Sequence, residues 1–305
     1  MCSSDLMETL TMKRNKADPC LFYKWRSGYL ILILLWVDDY CIMGPDEFVL
    51  DLKEEVKSVF NCDDVGEMKE YVGCKIERDR EKRWLRSTQP VKLDRFKDEW
   101  GVQPSAAARL PAVPGQVLSK DGEGEDDQPL DKEEQFSYRS ATAILLHMMR
   151  WSRVETMNAV RELSRFMAEA KQSHMVALYE VMEYCVSTAA RGLVLCTNVV
   201  WDGTANFVFE INGLSDSEYA KDESRKSVNG WSTWLFGMCI TCRSKMMPIV
   251  ALPVAEAELY AAAQCAQDMM YIMRVLMCLG LKVKLPMILE VDNKGAVDHC
   301  RDRKS

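Results

Sequence analysis

Hydrophobic residues follow a different pattern in successive parts of the chain, beginning with an unbroken apolar run from Tyr29 to Val37. Asp38 and Asp39 follow this run, and a second β-prone stretch extends from Tyr40 to Met43. Short continuous apolar runs are typical of buried strands. The pattern therefore predicts a β-hairpin with an acidic tip. The run is too short for a membrane span, which needs about 20 residues.

Four further elements are predicted before residue 102. In chain order they are a helix over 46–60 with Phe48, Leu52 and Val56 on one face, strands over 68–76 and 84–87, and a helix over 91–100 ended by Gly101. Residues 1–101 would then form one α+β domain.

The middle of the chain reads as a linker followed by helices. Prolines and an acidic stretch of low hydrophobicity predict a linker over 102–136. Apolar residues then recur at helical spacing within 138–147, 155–167 and 174–186. We expect a helical connection over 137–190.

From residue 191 to 305 the pattern changes to strands around one long helix. Predicted strands cover 192–196, 207–216, 230–236, 238–243 and 285–291, and predicted helices cover 255–279 and 294–300. The long helix is expected to bury a stripe of Leu259, Ala262, Ala263, Ala266, Met270, Met273 and Met277.

Composition indicates a globular protein rather than a membrane or disulfide-rich one. The 305 residues are 48% hydrophobic and 28% charged, with a formal net charge of −7. No signal peptide is recognised at the N-terminus, so the twelve cysteines are expected to be reduced. The cysteines of the single CxxC, Cys239 and Cys242, are expected to be buried thiols rather than a zinc site.

Charge is unevenly distributed despite the acidic total. The segment 75–97 holds nine Lys or Arg against four acids, which could bind a phosphate backbone. The alternative is an ordinary solvated face.

Adjacent carboxylates at the hairpin tip suggest a metal. Asp38 and Asp39 repel each other unless a cation compensates them, and a divalent metal takes oxygen ligands. The alternative is a solvated turn, because Asp suits turns.

Three more acids lie at informative positions in the last third of the chain. Asp216 and Asp292 end predicted strands, and would meet if those strands are neighbours. Glu258 lies near the start of the long helix and could approach them. Only one of Glu256 and Glu258 can face the site, because residues two positions apart are ~200° apart on a helix, and the buried stripe at Leu259 and Ala262 favours Glu258 over the alternative Glu256. Three converging carboxylates suit two Mg²⁺ ions for phosphoryl transfer. The alternative is three separate surface acids.

Short motifs in both halves resemble one family in its order. They are Asp18-Pro-Cys-Leu-Phe-Tyr23, Trp36-Val-Asp-Asp39, Gly66 to Gly73, Tyr138-Arg-Ser-Ala141, Leu163-Ser-Arg-Phe166, Gly213-Leu-Ser-Asp216, Arg225-Lys-Ser227, Ala255-Glu-Ala-Glu258 and Val291-Asp-Asn293. Together they resemble the Pol polyprotein of copia-type LTR retrotransposons, in its reverse transcriptase and RNase H portion.

The resemblance implies an α+β fold. Residues 1–101 would be a partial reverse transcriptase palm with primer grip and thumb, followed by a linker (102–136), a helical connection (137–190) and an α/β RNase H-like domain (191–305). It also implies two phosphoryl-transfer activities. Asp38 and Asp39 would bind metal for an RNA-directed DNA polymerase, and Asp216, Glu258 and Asp292 for an RNase H.

The same resemblance implies ligands and a location. The metal would be Mg²⁺, with Mn²⁺ as an alternative. Partners would be an RNA template, a DNA primer, dNTPs and an RNA–DNA hybrid, with no membrane. Candidate phosphate contacts include Arg225, Lys226, Arg243 and Lys245. The location would be intracellular, either cytoplasmic in a virus-like particle or nuclear.

Some features depart from the family. Trp36 replaces the usual Tyr before the acid pair, and the family has a further polymerase carboxylate upstream and a fourth RNase H acid downstream. We therefore expect a fragment truncated at both ends whose polymerase is inactive alone. The alternative function is a non-catalytic nucleic-acid-binding remnant or interaction module.

Overall fold

Helices and strands are mixed along the chain in the computed structural model. The described residues are 10–37, 39–113, 117–120, 124, 127–197, 199–220 and 224–301. None of the helices in these ranges combines the length and apolar character that crossing a membrane requires. The mixture agrees with the predicted α+β class.

An antiparallel sheet opens the described chain. Its strands, in both chain and sheet order, are β1 (Lys13–Arg14), β2 (Leu21–Arg26), β3 (Tyr29–Trp36) and β4 (Asp39–Met43). Helix α1 (Asp46–Val59) buries Phe48, Leu52 and Val56 in a cluster that also contains Ile31 and Ile33. The predicted hairpin and the predicted helical face are both confirmed.

The hairpin tip is a tight turn. Trp36 pairs with Asp39 in the β3–β4 register, which leaves only residues 37 and 38 between the strands. Val37 has a φ of 54°, a left-handed conformation that a β-branched residue rarely adopts. Asp38 lies outside the described residues.

A second antiparallel sheet joins distant parts of the chain. It consists of β5 (Glu70–Tyr71), β6 (Cys74–Asp79), β7 (Trp84–Thr88) and β8 (Leu193–Cys196), in that order. Helix α2 (Pro90–Trp100) follows β7 and ends at Gly101, whose φ of 64° suits glycine. The sequence predicts β8 as the start of the C-terminal domain, but its hydrogen-bonded partner is β7.

Three helices contribute most residues of the largest buried cluster of the described chain. They are α3 (Lys132–Trp151), α4 (Met157–Ser164, after a 3₁₀ turn at Val154–Thr156) and α5 (Gln172–Ser187). Helix α3 begins six residues earlier than the predicted 138, inside the expected linker. The cause is a capping box, in which Asp131 accepts from the backbone of Glu134 and the Glu134 side chain accepts from Asp131 N.

The described residues between α2 and α3 contain no helix or strand, and some of them pack against the helices. Val102 and Leu118 are buried in the helical cluster. His174, which is fully buried, contacts Ser119 O through Nε2 at 2.8 Å, while its Nδ1 accepts from Lys171 N at 3.0 Å. These contacts fix the segment on the first turn of α5.

The C-terminal sheet has one parallel pair. Its strands are β10 (Ile211–Glu218), β11 (Val228–Leu235), β12 (Met238–Met246) and β14 (Ile288–Val291), in the order β12-β11-β10-β14. A separate pair joins β9 (Val208–Phe209) to β13 (Lys282–Val283). Helix α6 (Val254–Cys278) packs on β10 and β11, and α7 (Lys294–Arg301) follows β14.

Helix α6 buries a different face from the predicted stripe. Its buried residues are Ala257, Glu258, Ala261, Ala262, Cys265 and Met269, whereas Met270 and Met277 are exposed. Small residues dominate this face because the helix lies very close to β10. A Cβ on Gly213 would lie 2.5 Å from Met269 Sδ and 2.6 Å from Cys265 Sγ.

The first sheet packs against the end of α6. The Trp25 indole donates to Leu279 O at 2.8 Å, and the Asn15 amide donates to Val275 O at 3.0 Å. Leu21 and Leu30 share a buried cluster with Leu279. The two ends of the described chain are therefore held together by apolar contacts and direct hydrogen bonds.

Gly213→Val should destabilise the protein by roughly 1–3 kcal/mol, because the added side chain would overlap the facing surface of α6. Gly230→Ala is the matched control on the neighbouring strand, since a Cβ there meets nothing nearer than 4.0 Å. Urea unfolding measures both. Equal losses in the two variants would contradict the close helix–sheet contact.

His174 should make stability depend on pH. Burial lowers its pKa, so its contribution is complete above the unfolded value of about 6.5 and is lost as pH falls through the folded pKa. The difference in unfolding free energy between wild type and His174→Asn should be about 1–2 kcal/mol at pH 8 and should shrink toward pH 5. A constant difference for His174→Asn would contradict this assignment.

Candidate metal centre

Two of the predicted acids lie side by side on neighbouring parallel strands. Ser215 on β10 pairs with Val291 on β14, so the next residues, Asp216 and Asp292, lie at the same level. Asn293 immediately precedes α7, and its side-chain oxygen accepts from Ala296 N at 3.0 Å. Asp292 is thereby held between the end of a strand and a capped helix.

Glu258 reaches the same place from α6. It lies in the second turn of the helix, and only 4% of its surface is exposed. Glu256 instead accepts a hydrogen bond from Leu252 N at 3.0 Å, at the exposed start of the helix. Of the two helix acids that the sequence offers, Glu258 is the one beside the aspartates.

The three carboxylates converge closely enough to share a cation. One oxygen from each of Asp216, Glu258 and Asp292 lies within 4.8 Å of the others. The two aspartates are exposed, and the glutamate lies behind them in the protein. This is the only group of three or more acidic, His or Cys ligands at such distances in the described residues. The predicted convergence is present, and its metal-binding role stays a prediction.

The electrostatics of the cluster are unfavourable without a cation. Burial, then the Asp216 and Asp292 carboxylates, raise the pKa of Glu258 to about 7, and a hydrogen bond from the Ser217 backbone opposes this rise. Two like charges about 5 Å apart repel by roughly 3 kcal/mol at an effective dielectric constant near 20. The native fold therefore maintains a repulsion that a proton or a metal would relieve.

The donor atoms fit a hard divalent cation. All are carboxylate oxygens, which Mg²⁺ and Mn²⁺ prefer. Glu258 Oε2 is buried and has no hydrogen-bond partner among the described residues. A buried oxygen without a partner costs about 1–3 kcal/mol. A cation held with the aspartates would satisfy it.

Ser217 is a supporting residue that the sequence does not single out. Its backbone N–H donates to Asp216 Oδ1 at 2.8 Å. Its buried hydroxyl donates to Asn229 Oδ1 on β11 at 3.0 Å. The hydroxyl at an inward-facing strand position gives only a weak sequence signal, because such residues are usually structural.

Cationic residues lie near the acid cluster on the sheet. Asp216 pairs with Gly230, which pairs with Ser244 on β12. Arg243 and Lys245 flank Ser244 and are exposed, as is Arg225 in the β10–β11 connection, while Lys226 is half-buried. Three of the four predicted phosphate contacts are therefore exposed.

Asp39, the hairpin acid that the structure describes, does not gather a comparable cluster. Asp39 is exposed, and within the described residues no group of three ligands includes it. Tyr71 on β5 lies near enough that the Asp39 charge contributes, after burial and Cys41, to raising the Tyr71 pKa.

The basic segment 75–97 is largely neutralised by ion pairs. Arg80 bridges to Asp46, Lys82 to Asp79 and Lys97 to Asp94. Lys75 and Arg86 both pair with Glu77, and Arg95 pairs with Glu99. This pairing weakens the expectation that the whole segment binds a phosphate backbone.

Three curated relatives are similar to nearly the whole chain. The Retrovirus-related Pol polyprotein from transposon TNT 1-94 of Nicotiana tabacum is 28% identical over 295 residues, which is 96% of this chain and 22% of the relative. Those from transposons RE1 and RE2 of Arabidopsis thaliana are 24% and 23% identical over 294 residues, 96% of this chain and 19% of each relative. The chain thus spans about a fifth of the length of these relatives.

A shorter relative shares part of the chain. Secreted RxLR effector protein 161 of Plasmopara viticola is 34% identical over 136 residues, which is 44% of this chain and 90% of the relative. No family model matches the chain. No solved structure matches it significantly.

Glu258→Gln should stabilise the metal-free protein at high pH. Because the folded pKa of Glu258 is raised, the folded protein loses stability as pH rises from the unfolded pKa near 4.5 through the folded pKa of about 7. With a chelator present, the variant should gain on the order of 2 kcal/mol at pH 8.5 and little at pH 5.

In Mg²⁺ the wild type should become more stable than Glu258→Gln, because ion binding to the folded state stabilises wild type by mass action. Thermal unfolding at pH 7.5 with and without Mg²⁺ measures the shift. Mg²⁺ should raise the unfolding temperature of wild type and of Glu256→Gln, the matched control. It should not raise that of Glu258→Gln. An equal shift in all three proteins would place the bound ion elsewhere.

Proposed function

We propose that the C-terminal half of this chain, which is similar over nearly its whole length to Pol polyproteins of copia-type retrotransposons, is a metal-dependent RNase H. It would hydrolyse phosphodiester bonds in the RNA strand of an RNA–DNA hybrid. The observation that carries the proposal is the convergence of Asp216, Glu258 and Asp292 around one buried, unpartnered oxygen.

Each carboxylate has a distinct place in the proposed chemistry. Divalent ions, when bound, supply positive charge that offsets the charge developing on the phosphate. Asp216 and Asp292 are exposed and would hold the ions on the substrate side. The Ser217 N–H fixes Asp216 for this role.

Glu258 would complete the metal site from the protein interior. Its pKa near 7 means that Oε2 exchanges a proton near neutral pH, so metal binding must displace that proton. Metal affinity and activity should therefore rise with pH from 6 to 8. The neighbouring backbone donor at Ser217 already favours the ionised form.

Exposed cations support the choice of a nucleic-acid substrate. Arg243 and Lys245 on β12 flank Ser244, which lies two strands away at the level of Asp216. Neighbouring residues on a strand point to opposite faces, so these two cations extend from the face opposite Ser244 and would contact phosphates where a hybrid passes the β12 edge of the sheet. Such contacts are independent of sequence. Choice of the RNA strand would depend on contacts to the 2′-OH.

The proposed relationship of the N-terminal half to a polymerase rests only on the β3–β4 hairpin. Asp39 lies at the exposed tip of the β3–β4 hairpin, which is the position that a metal-binding acid of a polymerase palm would take. Since the described residues gather no third carboxylate there, we propose that catalysis by this chain depends on the C-terminal cluster. The RNA template, DNA primer and dNTPs would be partners of the polymerase activity of the longer polyproteins.

Cleavage of a labelled RNA–DNA hybrid by the purified chain in Mg²⁺ tests the proposal. Asp216→Asn, Glu258→Gln and Asp292→Asn should each lower the cleavage rate at least about 100-fold, because each removes charge from the metal site. Glu256→Gln should cleave like wild type. Circular dichroism confirms that each variant is folded.

Two results would contradict the proposal. One is a folded wild-type chain that does not cleave the hybrid in Mg²⁺ or Mn²⁺. The other is salt-sensitive hybrid binding without cleavage, unchanged in the three variants, which would identify a non-catalytic nucleic-acid-binding module instead.

A further inference from the structure

A β-bulge in strand β12 brings the two cysteines of the CxxC motif onto one face of the sheet. Across the β11–β12 register, Ser232 pairs with Cys242 and Trp234 pairs with Cys239, whereas Ile240 has no partner. Without the bulge, residues three apart on a strand would point to opposite faces. The extra residue makes the two thiols neighbours.

The opposite face of the same strand is used for packing. Thr241 lies between the cysteines, and its hydroxyl contacts Thr233 Oγ1 at 2.7 Å and Asp268 of α6 at 3.3 Å. The thiols therefore point away from α6. Both cysteines are half-exposed, which corrects the expectation of buried thiols and leaves them accessible to small solutes.

The two thiols interact directly. The Cys239 thiol donates to Thr241 O at 3.4 Å. Interaction with Cys239, with a further contribution from the Arg243 charge, lowers the pKa of Cys242 to about 7, while interaction with Cys242 and burial raise the pKa of Cys239. Of the two thiols, Cys242 is therefore the one that ionises more readily.

Other cysteines in the described residues offer a contrast. Burial raises the pKa of Cys185 to about 12 and of Cys265 to about 11, and it also raises those of Cys41 and Cys74. Thiolate character and access govern the reactivity of a cysteine. In the described chain, Cys242 is the cysteine that combines a lowered pKa, partial exposure and a neighbouring thiol.

We propose that Cys239 and Cys242 are a reversible dithiol–disulfide site that exchanges with small-molecule disulfides such as glutathione disulfide. Strand β12 is at the edge of its sheet. The Cα atoms of Cys239 and Cys242 can therefore approach to the separation of about 4.4–6.8 Å that a disulfide requires. This movement would break no hydrogen bonds to a second neighbouring strand. The site is separate from the carboxylate cluster and independent of its proposed activity.

The exchange proceeds in two balanced steps. The Cys242 thiolate attacks one sulfur of glutathione disulfide, which forms a mixed disulfide and releases one glutathione thiolate. Cys239, having lost its proton to that thiolate or to solvent, then attacks the Cys242 sulfur and releases the second glutathione. The two protein thiols are oxidised, and one glutathione disulfide is reduced to two glutathione molecules.

Mass spectrometry of the full chain tests the proposal directly. The protein is equilibrated in glutathione buffers of increasing disulfide content and quenched in acid, and free thiols are blocked before digestion. Trypsin cuts after Lys226 and Arg243, so the peptide 227–243 contains both cysteines and no others. An intramolecular disulfide appears as an unblocked peptide that is two hydrogens lighter.

We expect this peptide to be oxidised at a glutathione disulfide concentration at least about tenfold below that which modifies the exposed lone thiols of Cys20 and Cys196. In Cys239→Ser, Cys242 should accumulate the mixed disulfide with glutathione, since no second thiol can displace it. In Cys242→Ser, Cys239 should remain mostly free.

Two results would overturn the proposal. One is a 227–243 peptide that stays fully blocked in buffers where Cys20 and Cys196 are already modified. The other is a mixed disulfide on the wild-type peptide that never closes and matches that of Cys239→Ser. Either would show that the thiols cannot approach within bonding distance.

Discussion

The repulsion among three carboxylates is the constraint on which the C-terminal half of the molecule depends. Asp216, Glu258 and Asp292 are held within 4.8 Å of one another although Glu258 is almost fully buried. Such a cluster is unstable unless the surrounding fold enforces it or a cation compensates it. Packing of α6 on the sheet supplies the enforcement, and the chemistry of the oxygen donors indicates the cation.

Two features of the backbone bring these side chains together. The parallel pairing of β10 with β14 places two aspartates at one level. The absence of a side chain at Gly213 lets α6 lie directly on β10, with Cys265 and Met269 filling the space. Glu258 shares the buried face that this contact creates. A bulkier residue at 213 would therefore disturb both the packing and the position of the third acid.

The sequence predicts the local parts of this arrangement well. The apolar run before Asp39, the helix stop at Gly101 and the strand ending near Asp292 are each determined by neighbouring residues. Helix geometry also correctly separates Glu256 from Glu258, because it requires them to face different ways.

Features that depend on distant pairing are not predicted. Strand β8 pairs with β7, more than a hundred residues earlier, and the pattern of 193–196 contains no sign of its partner. The predicted stripe of α6 runs through Met270 and Met277, yet the close approach to Gly213 buries the face that carries Cys265 and Met269 instead. Likewise, the capping box at Asp131 begins α3 inside an acidic stretch that resembles a linker.

A crystal of the chain soaked in Mn²⁺ would test the central claim most directly. Anomalous scattering at the manganese edge locates the ion independently of any activity. The account predicts a peak bounded by Asp216, Glu258 and Asp292, with Glu258 Oε2 among its ligands, and no such peak in Glu258→Gln. A wild-type map without density at that position, with the three carboxylates unchanged, would contradict it.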